Sequence, residues 1–203
     1  MSVDAVLFDM DGVLVFSENA WFAVYNDTLR HFGHAEISRA AFDAIYGNGT
    51  EADRDTYMPE RTVAEVDAAY VRFFGGRLDV IERNGAARPV LEELHASGLR
   101  LSVATNTNNA LANRILEVVG LRDLLDAVSG ADEVPAGKPD PAVVVLAAKK
   151  VGAPLERCVF VGDSRYDAAA AAAAPVRFVG HRFPAGERIE SLAELPALIR
   201  SAP

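Results

Sequence analysis

The chain has 203 residues, 50% of them hydrophobic and 24% charged, which suits one cored domain, or one domain carrying a small insertion, and excludes wholesale disorder. Acidic residues outnumber basic ones 29 to 20, for a net charge of -9; that field repels nucleic-acid phosphates and anionic lipid heads, so neither is an expected partner, and an anionic substrate would need a local cation. The single cysteine, Cys158, has no internal disulfide partner, no apolar run is long enough to span a bilayer, and MSVDAVLFDMDGV carries acids where an export signal carries bases, so a cytoplasmic location is expected.

In chain order, Val3–Phe8 predicts a short apolar strand that runs straight into Asp9-Met10-Asp11-Gly12. Residues 16–85 then read as helices without strands. Glu18–Phe32 carries Trp21, Phe22, Tyr25 and Leu29 at helical spacing, and Ser38–Tyr46 carries Ala41, Phe42 and Ile45. Thr62–Arg83 is apolar at Val63, Val66, Tyr70, Phe73, Phe74 and Leu78, with Gly75-Gly76 as a break point. From there helices and strands alternate: helix Arg88–Ser97, strand Leu99–Ala104, helix Asn108–Val119 and a weaker strand Ala127–Ser129. Helix Asp140–Val151, strand Arg157–Val161, helix Asp167–Ala174, strand Val176–Val179 and helix Arg188–Arg200 complete the pattern. Alternation of this kind predicts an α/β fold with a parallel sheet covered on both faces, its ligand beyond the strand carboxyl ends. The expected division is a Rossmann-like core of residues 1–15 and 86–203, with a small all-helical domain of residues 16–85 inserted after the first strand. Alanine is the best helix former, so the run Ala168–Ala174 reads as a structural helix that packs close to the sheet.

Four strand or loop ends carry reactive groups. Asp9 and Asp11 stand two residues apart beside aliphatic neighbours, and such carboxylates repel unless a cation or a shared proton lies between them. Gly12 permits a tight turn directly after them. Thr105-Asn106 offers a hydroxyl and backbone N–H groups suited to a phosphate oxygen, although a threonine there also serves as a cap or turn residue. In Gly137-Lys138-Pro139-Asp140-Pro141, Asp140 reads as the helix N-cap, and Lys138 as a fixed ammonium; alone it also fits a solvated surface lysine. Asp163 leaves the strand ending in Gly162, and Asp167 opens the next helix, where an acid is favourable on electrostatic grounds alone. Clustered carboxylates suit Mg²⁺, a hard cation that prefers oxygen ligands and bridges to phosphate.

Each segment is modest by itself. In this order, FDMDGV (8–13), ATN (104–106), GKPDP (137–141) and VGDSRYD (161–167), the chain resembles the haloacid dehalogenase-like hydrolase superfamily over nearly its whole length. The helical insertion resembles the subclass I cap of phosphoglycolate phosphatase-like and β-phosphoglucomutase-like members. The resemblance implies that Asp9 is the nucleophile, forming an aspartyl-phosphate, and that Asp11 is the general acid and then the base for water. It implies phosphoryl binding by Thr105 and the Asn106 backbone, and charge neutralisation by Lys138. It implies Mg²⁺ held by Asp9, the Asp11 backbone carbonyl, Asp163 and Asp167, the last directly, through water or by orienting Lys138. Two departures stand out: members often carry Asp-Ser-Glu where this chain has Phe16-Ser17-Glu18, and Ala-Gly where it has Ala174-Pro175. Asp11, absent from haloalkanoate dehalogenases, favours phosphoryl chemistry.

The cap sets the substrate in such enzymes. Tyr46-Gly47-Asn48-Gly49-Thr50 is expected to dip toward the core, with Asn48, Thr50 and Arg54 as specificity contacts; a plain helix–helix turn is the alternative. Trp21, Phe22 and Tyr25 are read as cap interior, His31 and His34 as surface residues, and Cys158 as core; His95 and His181 have no motif context. The expected function is a Mg²⁺-dependent phosphatase acting on a small phosphorylated metabolite, as monomer or homodimer. The alternatives are a phosphomutase, or a non-catalytic protein that binds a partner through the capped cleft; the Asp9/Asp11 pair counts against the last.

Overall fold

The computed structural model describes residues 3–201, so Met1, Ser2, Ala202 and Pro203, the outer ends of the expected core segments, lie outside the described residues. Six parallel strands form one sheet: β1 (Ala5–Phe8), β4 (Arg100–Thr105), β5 (Ala127–Gly130), β6 (Cys158–Gly162), β7 (Arg177–His181) and β8 (Glu187–Ile189). Their order is β5-β4-β1-β6-β7-β8, and every pairing is parallel. The chain winds outward from β1 through β4 to β5, then returns to the other side of β1 for β6. The crevice of such a sheet opens where the winding reverses, at the carboxyl ends of β1, β4 and β6.

Burial on both faces explains the apolar runs. In β1, Val6 and Phe8 join the layer containing helices α5 (Ala87–Ala96), α6 (Asn109–Val118) and α9 (Leu195–Arg200). Ala5 and Leu7 face the layer of α7 (Ala142–Lys150) and α8 (Arg165–Ala173). All four residues are fully buried, which is the alternation a pleated strand imposes. The buried face of α8 carries two alanines, Ala170 and Ala171, beyond Asp167 in its first turn.

Between β2 (Val15–Phe16) and β3 (Glu82–Arg83) lie four helices: α1 (Glu18–His31), α2 (Arg39–Asp43), α3 (Thr50–Tyr57) and α4 (Val63–Phe74). β2 and β3 pair antiparallel, Val15 with Arg83 and Phe16 with Glu82, so the chain enters and leaves the helical group through one ribbon. Asn84 fixes its base: its Nδ2 donates to the Val13 carbonyl at 2.8 Å and its N–H to the Leu14 carbonyl at 3.0 Å. Inside the group the Trp21 ring packs tilted against Phe74, centroids 4.6 Å apart, and meets Tyr70 edge-on at 5.5 Å. A capping box starts α4, with the Glu65 N–H donating to Thr62 Oγ1 and the Thr62 N–H to Glu65.

Four expectations need correction. The helix expected over Thr62–Arg83 stops at Phe74, before the glycine pair, and its remainder is a 3₁₀ turn and β3. The helix expected over Arg188–Arg200 begins only at Leu195, because Glu187–Ile189 pairs with β7 and sheet pairing overrides local helical preference. Asp140 is not the N-cap of α7; that position is Pro141, and Asp140 Oδ1 accepts the Ala142 N–H at 2.9 Å from one residue further out. Helix α3 was not expected at all. Its sequence TEADRDTY has no apolar stripe, and its one buried residue is Asp53.

Among the described residues no helix is long and apolar enough to cross a membrane. Phe74 is fully buried against Trp21. Phe74→Ala should therefore lower stability by about 3–5 kcal/mol in urea denaturation; a loss near zero would show that this packing is not present in solution.

Candidate active site

Asp9 follows directly on β1, where Phe8 lies level with Val103 of β4 and Val161 of β6, so its carboxylate stands at the centre of the crevice. Its N–H donates to the Val161 carbonyl at 2.8 Å. Lys138 reaches it from the loop before α7. The lysine Nζ donates to Asp9 Oδ1 at 2.7 Å, to Asp167 Oδ1 at 2.6 Å and to the Ala104 carbonyl at 3.1 Å. Only 5% of Lys138 is exposed, so it is no solvated surface lysine. Its backbone is clamped by the Asn106 side chain: the Lys138 N–H donates to Oδ1 at 2.7 Å and Nδ2 donates to the Lys138 carbonyl at 2.9 Å.

Asp167 is the third helical residue after Ser164, the N-cap of α8, and closes a capping box by accepting the Ser164 N–H at 3.1 Å. Its Oδ1 is thereby free to face Lys138. Two glycines make the gathering possible. A Cβ on Gly162 would lie 2.3 Å from Asp167 Cβ, and one on Gly12 would lie 1.8 Å from Asp163 Oδ2; Gly12 also has φ +81°, a conformation side chains resist. Oxygens of Asp9, Asp163 and Asp167 all lie within 4.8 Å of one another.

Electrostatics show what the cluster lacks. Burial, then the Asp167 charge, push the Asp9 carboxyl well above the ordinary range, against the pull of Lys138. The same causes raise Asp163 to about 7. Burial alone would lower the Lys138 ammonium, but Asp167 and Asp9 outweigh it and hold the group charged. One ammonium among these carboxylates leaves negative charge uncompensated. An all-oxygen donor set with excess charge fits a hard divalent cation.

Asp11 points elsewhere. Its Oδ1 accepts from Ser17 Oγ and, at 3.1 Å, from Trp21 Nε1; its Oδ2 accepts from Thr107 Oγ1 at 3.0 Å. Burial raises its carboxyl while these three donors pull it down. Its side chain is not among the three carboxylates that gather around Lys138. Ser17, Trp21 and Thr107 were missed. Trp21 reads as interior, and it is packed as such, yet its indole N–H is spent on Asp11. Thr107 lies two residues past the ATN segment, and Ser17 was noticed only as part of a departure.

The remaining expected residues divide. Thr105 is buried, and its Oγ1 accepts the Thr107 N–H at 3.1 Å. Asn106 was expected to act through its backbone, but its side chain clamps Lys138 and donates to the Gly47 carbonyl at 3.0 Å. That contact ties the 46–50 loop to the core. Asn48 and Thr50 line a cavity of about 100 Å³ shared with Asp9, Asp11 and Lys138. Arg54 is a correction: it is not in that lining, because its guanidinium turns to Asp55, at 2.8 Å, and Glu51. His181, which had no motif context, is buried and its Nδ1 lies 3.0 Å from the Gly12 carbonyl, at the turn that admits Asp163.

Residues 3–175 match a family profile described as haloacid dehalogenase-like hydrolase. A protein of Cereibacter sphaeroides named phosphoglycolate phosphatase is 33% identical over 199 residues, which cover 94% of this chain and 89% of that protein. A crystal structure of a haloacid dehalogenase-superfamily hydrolase, subfamily IA, from Geobacter sulfurreducens superposes with a TM-score of 0.78. It is 25% identical and covers 97% of this chain and 100% of its own. A β-phosphoglucomutase from Clostridium difficile shares the fold at a TM-score of 0.82 but is 16% identical, covering 95% of this chain and 93% of that one. The chain belongs to the haloacid dehalogenase-like hydrolases. Within that family it is a phosphatase, with an α/β Rossmann-like core.

Because Gly12 has a left-handed φ and its hydrogen faces Asp163, Gly12→Ala should cost about 1–3 kcal/mol of stability. Chemical denaturation with an unmoved midpoint would contradict this packing.

Proposed function

We propose that the protein hydrolyses a small phosphorylated metabolite in two steps through an aspartyl-phosphate on Asp9, with Mg²⁺ as cofactor. The observation that carries this is the Asp9–Lys138–Asp167 arrangement with Asp163 beside it. Residues 16–85 serve as the cap, and Asn48 and Thr50 as contacts to the leaving group.

Asp9, Asp163 and Asp167, with the Asp11 backbone carbonyl, would hold the metal, which supplies positive charge to the phosphoryl oxygens and to the nucleophile when bound. Asp9 gives one oxygen to Lys138, and its other oxygen attacks phosphorus. A carboxylate approaching a phosphate dianion is opposed by charge, and the Lys138 ammonium lowers that barrier. As the phosphorus–oxygen bond to the leaving group breaks, protonated Asp11 gives its proton to the departing oxygen, releasing an alcohol. Burial favours the protonated form that this step needs. Asp11, now a carboxylate, takes a proton from water, whose oxygen attacks phosphorus. The bond to Asp9 breaks, and inorganic phosphate leaves. Thr105 and the Asn106 backbone orient the phosphoryl group, and the Gly47–Asn106 contact holds the 46–50 loop beside it.

Phosphate release from a panel of phosphometabolites, with and without Mg²⁺, tests the reading. Asp9→Asn should abolish release, and Asp11→Asn should slow it by about 10²–10⁴-fold while labelled aspartyl-phosphate accumulates; release at the wild-type rate by either variant would remove that residue from the mechanism. Asp163→Ala should raise the Mg²⁺ concentration for half-maximal rate by about tenfold or more; an unaltered metal titration would take Asp163 out of the metal site. Conversion of a hexose 1-phosphate primed by a bisphosphate, without phosphate release, would mark a phosphomutase instead.

A further inference from the structure

The cavity that begins at Asp9 runs into the cap, and its cap end has one sign of charge. Asp53 of α3 and Asp67 of α4 both line it, and among its described lining residues Lys138 is the single cation. That ammonium is already shared between Asp9 and Asp167. The nearest cap guanidinium in sequence, Arg54, pairs through its Nη2 with Asp55 and Glu51, its buried Nε meeting no partner, and it is not among the cavity's lining residues. The amide side chains in the lining, Asn48, Asn106 and Asn108, are neutral.

Asp53 is a buried carboxylate on a helix with no apolar stripe. Its Oδ2 accepts from the Tyr70 hydroxyl at 3.0 Å. Beside it the Tyr25 hydroxyl, on a residue 3% exposed that also lines the cavity, faces Asp53 and Tyr70 without closing a hydrogen bond to either. A buried hydroxyl without a partner and a carboxylate with spare acceptor sites are both costly, and native proteins rarely leave them so without a ligand. With the Tyr25 hydrogen turned to Asp53, the acceptors left over are the hydroxyl oxygen and the remaining carboxylate lone pairs, and what satisfies them is a group with several N–H donors and positive charge. The walls agree: Trp21, Tyr25, Phe42, Tyr46 and Tyr70 surround the space, and aromatic faces attract cations. Asp67, whose Oδ1 accepts from Thr50 at 2.6 Å, adds to the field.

We propose that the alcohol released from the phosphoester carries an ammonium group, held by Asp53, the Tyr25 hydroxyl and the aromatic walls, and that phosphoesters of hydroxy acids are disfavoured there. This rests on the phosphatase reading of the Asp9 site. Burial raises the Asp53 carboxyl to about 7 in the empty cavity, and a bound ammonium would draw it back to its charged form. A substrate carboxylate would instead face Asp53 and Asp67 with no cation to receive it, a repulsive selection against that class. Phosphoglycolate, the compound in the relatives' name, is of that class.

The experiment compares three esters of nearly equal size: 2-aminoethyl phosphate, 2-hydroxyethyl phosphate and phosphoglycolate, with 4-nitrophenyl phosphate as a reference that has neither charge on its leaving group. The expected order of kcat/KM is amino, then hydroxy, then carboxylate, with the first above the last by about tenfold or more. Asp53→Asn should shrink the amino-to-carboxylate ratio by about tenfold, a ratio that partial loss of folded protein does not move; Asp67→Asn should shrink it less. Phosphoglycolate turned over as well as the amino ester, or a ratio unmoved by Asp53→Asn, overturns the inference while turnover of 4-nitrophenyl phosphate leaves the catalytic reading standing. No turnover of the reference ester by the wild type removes that reading, and the inference with it.

Discussion

A single buried ammonium organises the reactive end of this molecule. Lys138 spends its three N–H donors on Asp9, Asp167 and the Ala104 carbonyl, and so joins the ends of β1 and β4 to the start of α8 from a fourth loop. A lysine at 5% exposure is tolerable only when its charge is paired and its donors are used. Each partner reciprocally depends on it, since Asp167 is fully buried and Asp9 nearly so. Asp163 has no such partner, and it is the carboxylate that Gly12 lets in. The chain thus assembles more negative charge than it neutralises, which is affordable at a site that recruits a cation and wasteful anywhere else.

Asp11, the acid of the proposed mechanism, is tied to the helical group of residues 16–85 in a similar way. Asp11 belongs to the core by sequence, but two of its three donors, Ser17 and Trp21, lie beyond the β2 end of the ribbon. Asn106 reaches the Gly47 carbonyl, and Arg165 donates to the Ala44 carbonyl at 3.2 Å, so the loop around residues 44–50 rests on the core's own site loops. Few polar contacts join the two parts, and several of them touch residues that also place Lys138 or Asp11. The position of the helical group and the orientation of the Asp11 carboxyl are therefore linked through shared residues, as the proposed mechanism requires.

What could be read in advance follows from how each feature is written in the chain. Strands β1 and β6 are apolar on both faces and run into acids, and β4, buried from Leu101 onward, runs into Thr105-Asn106, so each run marks both the strand and the site at its end. Asp9, Thr105 and Asp163 lie at those ends, while Lys138 before α7 and Asp167 in the first turn of α8 were legible from the short segments that carry them. Helix α3 was not, because it buries a carboxylate and not a stripe, and β8 was not, because three residues acquire their strand form only by pairing with β7. Trp21 looks like packing since its ring does pack; nothing in a linear sequence says that its one polar atom meets Asp11. Arg54 misled for the opposite reason: a cation near the loop suggests substrate, but Asp55 and Glu51 stand beside it and take its charge.

The net charge of -9 bears on what can enter. An acidic protein with an acidic cavity slows the approach of an anion, and the penalty grows with the anion's charge. A monoester dianion that also carries a carboxylate brings about three negative charges, whereas one that carries an ammonium brings about one. Within the cavity the ordering is the same, since the phosphoryl end offers Lys138 and a metal-binding carboxylate group while the cap end offers Asp53 and Asp67. A zwitterion laid along this axis meets a complementary charge at each end. Long-range field and local contacts then select the same molecules, and the selectivity of the cap does not have to work against the electrostatics of the whole chain.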